Sequence, residues 1–467
     1  MLLSGASMTL GALIKYGTLS PWEHLQELSF FAKLPLAIIT GTGILYLYYQ
    51  LKRIPHQKFL PIVIVFFLAI DPLFLSFSRY LHLDGLNALL ILLSLAHLSL
   101  YSYNKTLKDL RYSALFAGLG FLTRTSSLSL VPFVLIVVIF SARTQRTSRS
   151  RFLIKHLANW LLISTGTFVF LWPAMWVSPI RTLSTLTNFS SGAFVHSHKP
   201  PEGQISVTDS SSKNEDDRRK PLSFDPKLLW DFVVNRSVII LVFGIIGYAS
   251  VLRRVFSKRK TPYDAFLFVL LAFSAYFIIL LSFAKMATTI VLGFRYGLTS
   301  FVIFQMAAGY GFYIFLDRLY KYDGLKRVTR LIVFYGLIAT MCLHSYQVFS
   351  LHPYYQSYHN ELIKPSVIGW GEGLELVANH LNMKHDASEL VVASWYPCVF
   401  SKYFHGKTIS LPKVKDQHPD YIVLYNNQVN RDLEKDLVER FYRNQSINPE
   451  FTAVINGMEY AWLYKYL

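Results

Sequence analysis

The sequence predicts an α-helical polytopic membrane protein, with about ten transmembrane segments and a small C-terminal extracytoplasmic α/β domain. Three observations predict it: few charges for the length, a succession of long apolar runs, and basic residues that recur in alternate short loops. Of 467 residues, 52% are hydrophobic and 16% charged, and mean hydropathy is +0.34. A soluble domain carries about 25% charged residues, so much of this surface is expected to face lipid.

A helix needs about 20 apolar residues to cross the hydrocarbon core. Candidate spans run over Phe30–Gln50, Phe59–Ser78, Leu86–Tyr103, Tyr112–Thr123, Leu128–Ser141, His156–Val177, Ser237–Leu252, Tyr263–Phe283, Gly297–Leu316 and Thr329–Tyr346. The fourth and fifth are short, and charge decides whether they are one span or two. Lys105, Lys108 and Arg111 precede the pair, and Arg143, Arg146, Arg149, Arg151 and Lys155 follow it. Basic loops stay in the cytoplasm, so the chain between them crosses twice or enters and returns. The basic groups at Lys52–Lys58, Arg253–Lys260 and Arg318–Arg330 then share that side. Asp84, Arg124, Lys285, Arg295 and the C-terminal domain share the other.

The formal net charge of +18 therefore reads as membrane orientation, and no nucleic-acid partner is expected. Cys342 and Cys398 lie too far apart in sequence to suggest a metal cluster or a disulfide framework. Met1–Ile14 lacks a basic start and a cleavage site and reads as a short interfacial or half-buried helix. Residues 178–231 form an external loop whose polar run Ser210–Lys220 reads as a mobile surface segment, with a substrate-covering lid as the alternative.

After Ser350 the composition changes, which divides the chain into 1–349 and 350–467. Glu372–Leu381 reads as a short helix, Leu390–Trp395 and Tyr421–Tyr425 as buried strands, and Asp432–Tyr442 as an amphipathic helix. Asn456-Gly457 is a hairpin turn between Phe451–Ile455 and Glu459–Tyr464. Gly369–Gly373 has the glycines of a phosphate loop but not its preceding strand, and reads as a glycine-rich lead into a helix.

Ionisable groups at membrane depth are costly and mark functional positions. Asp84, in Ser78-Arg79-Tyr80-Leu81-His82-Leu83-Asp84-Gly85, opens a span; a carboxylate there either caps the helix or orients an acceptor or a divalent metal. Asp71 lies inside a span before Pro72, facing a cavity or a neighbouring helix. Arg124 sits among the hydroxyls of Thr123, Thr125, Ser126 and Ser127, where it can bind phosphate or snorkel to the interface. Lys285 and Arg295 add two cations to the same face, and several basic positions together point to an anionic ligand.

At these clusters the chain resembles the polytopic C-fold (GT-C) glycosyltransferases of family 39 type, which include protein O-mannosyltransferases, aminoarabinose transferases of lipid A and bacterial relatives. The matching stretches are Phe31–Pro35, Asp71–Phe74, Ser78–Tyr80 with Leu83-Asp84, Gly118–Thr125, Trp172-Pro173, Arg295-Tyr296, Gly369–Gly373, Asp420–Tyr425 and Tyr460–Trp462. The resemblance implies transfer of a sugar from a polyprenyl-phosphate donor to a lipid, glycan or protein acceptor at the outer membrane face, among membrane lipids. It implies a general base, for which Asp84 matches the second acidic position and Asp71 is a further candidate. Arg295, Lys285, Arg124 and Arg79 are the implied phosphate contacts, and a divalent metal at Asp84 is a further implication. The family's first acid opens its first external loop; Glu23 and Glu27 fall in that region without matching the motif. The expectation is a span and acid upstream of Met1, or a divergent, non-catalytic scaffold of the same fold. A lipid or sugar transporter is the remaining alternative, although its expected internal repeats are not evident.

Overall fold

In a computed structural model, residues 2–21, 27–55, 58–79, 83–143, 149–185, 236–257, 261–283, 293–322, 326–360, 362 and 369–466 are described. The polar run Ser210–Lys220, Glu23 and Lys285 lie outside them. The chain divides into two compact units at Val348/Phe349.

The first unit is helical: α1 (Leu2–Tyr16), α2 (Ser29–Lys52), α3 (Leu60–Ala69), α4 (Pro72–Arg79), α5 (Asp84–Asn104), α6 (Leu107–Thr123), α7 (Leu130–Ala142), α8 (Arg149–Leu171), α9 (Val238–Val255), α10 (Pro262–Phe283), α11 (Gly293–Lys321) and α12 (Arg327–Ser350). Among the described residues, eight helices are long and apolar enough to cross a membrane, and the bent pair α3–α4 brings the number to nine. The span expected at Tyr112–Thr123 is α6, a helix of 17 residues. An extended Arg124 and a 3-10 turn over Thr125–Ser129 separate α6 from α7, so the stretch is two helices rather than one.

Helices α5 and α11 are the centre: 89% of each apolar window is buried, against 17% for α8 and α12. The outer helices present Ile154, Leu162, Phe170, Ile332 and Tyr335 outward, an apolar surface that fits lipid. α9 and α11 cross with backbones almost touching. A Cβ on Gly247 would lie 2.0 Å from the Ala307 carbonyl oxygen, and one on Gly311 2.0 Å from that of Phe243. Small residues allow this approach. Phe67, Ile70, Ile240, Phe243, Phe304 and Phe312 fill the space where α3, α9 and α11 meet.

The 61° bend between α3 and α4 has a local cause. Pro72 biases Asp71 away from helical backbone, and the Asp71 carboxylate then accepts the Phe74 N–H at 2.7 Å, restarting the helix.

The second unit holds a five-stranded sheet: β1 (Val391–Ser394), β2 (Lys407–Ser410), β3 (Tyr421–Tyr425), β4 (Phe451–Ile455) and β5 (Met458–Lys465), in the order β2-β1-β3-β5-β4. β1 runs parallel to β2 and β3, while β5 runs antiparallel to β3 and β4. The helix α13 (Leu374–Asn382) packs Leu374, Val377, Ala378 and Leu381 on one face of the sheet. Asn456 and Gly457 take φ of 50° and 72°, the two-residue hairpin that the sequence predicted. One strand was missed and one reading is corrected. β2 has only four residues, Lys407-Thr408-Ile409-Ser410, too short for the alternation to register. The helix expected over Asp432–Tyr442 starts late, because Asp432 and Glu434 have φ of 54° and 52°. What remains is one α turn, Lys435–Leu437, followed by a π turn, Val438–Tyr442.

Candidate functional site

Asp84 opens α5 and Arg124 follows α6. Their side chains form an ion pair, with the Asp84 side chain 1% exposed and that of Arg124 21% exposed. Two features bring them together. Gly85 lets α5 start against the end of α4, where a Cβ would lie 2.7 Å from the Phe77 carbonyl oxygen. Arg124 leaves the α6 helix in an extended conformation (φ −157°, ψ 147°), which turns the chain into the hydroxyl-rich 3-10 turn.

Asn87, one turn into α5, gathers that turn. Its Oδ1 accepts hydrogen bonds from Thr123 Oγ1 at 2.9 Å and from Ser127 Oγ, and its Nδ2 donates to Ser126 Oγ at 3.1 Å. Gly120 leaves room for Ser127, whose Oγ would lie 2.9 Å from a Cβ there. The hydroxyls that the sequence placed around Arg124 are therefore spent largely on locking α5 to the 3-10 turn. Asn87 itself was missed; a polar amide one turn after Asp84 in an apolar run was the available signal.

Asp71 is brought to a different partner, Arg236, whose Nη1 lies 2.5 Å from Asp71 Oδ2; the two side chains are 0% and 2% exposed. The Arg236 guanidinium also stacks on the Phe301 ring at 5.4 Å. Arg236 was missed because it follows the long polar loop. It directly precedes an apolar run, as Arg295 does, and that parallel was the signal. A buried ion pair loses much of its Coulomb gain to desolvation, but removing one partner strands a charge. The pair therefore fixes the α3–α4 bend to the start of α9.

Arg79 ends α4 half-buried. Lys285 and the side chain of Arg295, whose backbone lies in the first turn of α11, are outside the described residues. Among the described residues no three or more His, Cys, Asp or Glu side chains converge to hold a metal, and Asp84 is occupied by Arg124. Among the described residues, this donor set does not fit a resident cation.

The opposite ends of the same helices carry a second set of buried acids. Asp109, in the first turn of α6, accepts from Arg53 at 2.8 and 3.2 Å and from Thr106 Oγ1 at 2.5 Å, and lies 3.3 Å from His97 Nδ1. Asp264, opening α10, accepts from Thr261 N and Oγ1 at 2.8 and 2.7 Å and from the Tyr310 hydroxyl; Arg254 lies 3.8 Å away. Tyr263 donates to the Leu51 carbonyl at 2.8 Å, which places both sets at one end.

Residues 25–172, about a third of the chain, match the family model described as dolichyl-phosphate-mannose-protein mannosyltransferase, of GT-C type. The resemblance drawn from the sequence holds over that segment, which includes Asp71, Arg79, Asp84 and Arg124. No curated protein matches the chain. The family supports glycosyltransferase activity with a polyprenyl-phosphate sugar donor, in a multipass membrane protein.

Proposed function

With the match over residues 25–172 as premise, we propose that this chain transfers a sugar from a polyprenyl-phosphate donor to a lipid, glycan or protein acceptor at the outer face of the membrane. The observation that carries the reading is the Asp84–Arg124 pair, set where α4, α5 and α6 meet inside the matched segment. The charge pattern supports the sidedness: the ends carrying Arg53, Lys105 and Arg254 are the basic ones and belong in the cytoplasm. Asp84, Arg124 and the chain after Ser350 then face outward.

In this mechanism the donor phosphate draws the Arg124 guanidinium from Asp84, exchanging one anionic partner for another. The freed carboxylate acts as general base on the acceptor hydroxyl. The acceptor oxygen attacks the anomeric carbon as the bond from that carbon to the phosphate oxygen breaks. The lipid phosphate leaves with the electron pair, and Asp84 keeps the proton. Arg124, Arg79, Lys285 and Arg295 stabilise the departing phosphate. Asp71, wholly buried against Arg236, positions α4 rather than touching substrate.

The test is Asp84→Asn in purified protein with a polyprenyl-phosphate sugar. Loss of a general base lowers turnover by about 100-fold or more, while donor binding, relieved of competition with the carboxylate for Arg124, is not weakened. Retained turnover would remove Asp84 from the reaction. Arg295→Ala weakens donor binding on this reading; equal affinity would end its phosphate role.

A further inference from the structure

The C-terminal unit carries a polar and aromatic cluster that the transfer reading does not use. It lies at the carboxyl ends of β1 and β3, where ligands bind in open α/β sheets. Trp395 and Tyr396 follow β1, Asn426 and Asn427 follow β3, and the Gly369–Gly373 loop packs on them. This loop is built around the Tyr425 hydroxyl, which accepts the Gly371 N–H at 3.0 Å and donates to Glu372 Oε2 at 3.2 Å. A Cβ on Gly369 would lie 2.1 Å from that hydroxyl, and Gly371 and Gly373 take φ of 116° and 84°, so the glycines are required by the geometry. Burial pushes the Tyr425 phenol well above its ordinary value, which keeps it a donor.

Asn427 is the informative residue. It is 5% exposed. Its Nδ2 donates to the Tyr396 hydroxyl at 2.9 Å and to the Gly369 carbonyl at 3.4 Å. Its Oδ1 is buried and has no hydrogen-bond partner. Turning the amide over does not solve this, because Oδ1 would then meet the Gly369 carbonyl, acceptor against acceptor. A buried acceptor left without a donor needs an explanation.

The group in this cluster left to accept, Asn427 Oδ1, calls for a ligand that donates and disfavours a phosphate. The rings of Trp395 and Tyr396 pack in part against the cores of the sheet and stay partly exposed, with Tyr396 hydrogen-bonded to Asn427; an aromatic surface beside an acceptor suits the C–H face and hydroxyls of a pyranose. A peptide pairing as an added strand has no place here, since β1 and β3 are interior strands with both edges paired.

We propose that the C-terminal unit binds a neutral saccharide at this cluster, with Asn427 Oδ1 accepting a sugar hydroxyl. The site stands apart from the transfer reading and does not depend on it. The full-length protein in lipid nanodiscs, free of sugar detergents, is titrated with mannotriose, chitotriose and cellotriose, followed by tryptophan fluorescence. Tetraalanine and inorganic phosphate form the contrasting arms. At least one trisaccharide is expected to saturate with a Kd of about 1 mM or tighter. Asn427→Ala weakens it about tenfold, and Tyr396→Phe weakens it while keeping the ring; the latter carries the test if the former unfolds. Asp84→Asn leaves the affinity unchanged. Failure of all three sugars to saturate overturns the proposal. So does unchanged affinity in folded Asn427→Ala and Tyr396→Phe, or saturation by tetraalanine or phosphate in place of a sugar.

Discussion

The two ends of the helical unit use the same pair of residue types in opposite ways. Asp84 and Asp109 flank α5, whose 21 residues separate them by about 30 Å at about 1.5 Å per residue. Arg236 and Arg254 flank α9 in the same sense. At the Asp84 end the arginines turn inward: Arg236 is 2% exposed and Arg124 21%. At the Asp109 end they are more exposed, Arg53 42% and Arg254 28%. There the carboxylates also accept from neighbours other than arginine, namely Thr106 and His97 on Asp109, and Thr261 and Tyr310 on Asp264. An acid with several short-range donors is a brace. An acid paired with a partly exposed guanidinium can give that guanidinium up to an incoming anion. The Asp84–Arg124 pair joins a buried carboxylate to a cation 21% exposed; Arg254 and Arg53 are also partly exposed, but their carboxylates Asp264 and Asp109 accept from hydroxyls as well.

The sharpest way to break this contrast is to remove one buried cation. Arg236→Met strands Asp71 in a site with no solvent, and truncating a buried pair costs about 3–5 kcal/mol. A large fall in thermal midpoint is expected. The double variant with Asp71→Leu recovers most of it, because an apolar pair of similar size removes the stranded charge. Equal stability of Arg236→Met and wild type would show that the pair holds nothing.

The second effect separates the ends by activity. Arg124→Gln leaves Asp84 without its cation and the donor without a phosphate contact, and lowers turnover about 100-fold. Arg53→Gln at the other end leaves turnover unchanged and costs about 1.5 kcal/mol of stability, the scale of a hydrogen bond to a charged group. Equal turnover losses at both ends would erase the distinction between brace and site.

What the sequence revealed follows from which forces are local. Apolar length and basic loops are one-dimensional signals, so the order of spans, the helix break at Arg124 and the hairpin at Asn456-Gly457 were legible. Asp71, Asp84 and Arg124 stood out because a charge in an apolar run is costly wherever it lands. Their partners were not legible. Asp71 meets Arg236 across 165 positions of chain, and no periodicity encodes that distance. Asp109 and Asp264 lie beside basic loops, where a charge is unremarkable, and were not singled out, yet both are buried. The left-handed residues Asp432 and Glu434, which delay the helix there, are set by tertiary context that overrides propensity.

The smallest effect calibrates the scale at a surface pair in the C-terminal unit. Burial alone would push the Glu450 carboxyl up, but hydrogen bonds from Lys384 and His380 hold it below its ordinary value. Lys384 Nζ lies 2.6 Å away, with the two side chains 29% and 32% exposed. A depressed carboxyl contributes stability above its unfolded pKa, and that contribution disappears as pH falls through the folded value. Glu450→Gln therefore costs about 0.5 kcal/mol at neutral pH and nothing once the carboxyl is protonated. Hydrogen exchange of the β4 amides at Phe451–Ile455 reads this directly, since local opening reports the stability of the strand that Glu450 precedes. Protection in the variant and wild type converges in acid and separates at neutral pH. A difference that grew on acidification would mean that Glu450 acts through its shape rather than its charge, and burial would then no longer order the acid–base pairs of this protein.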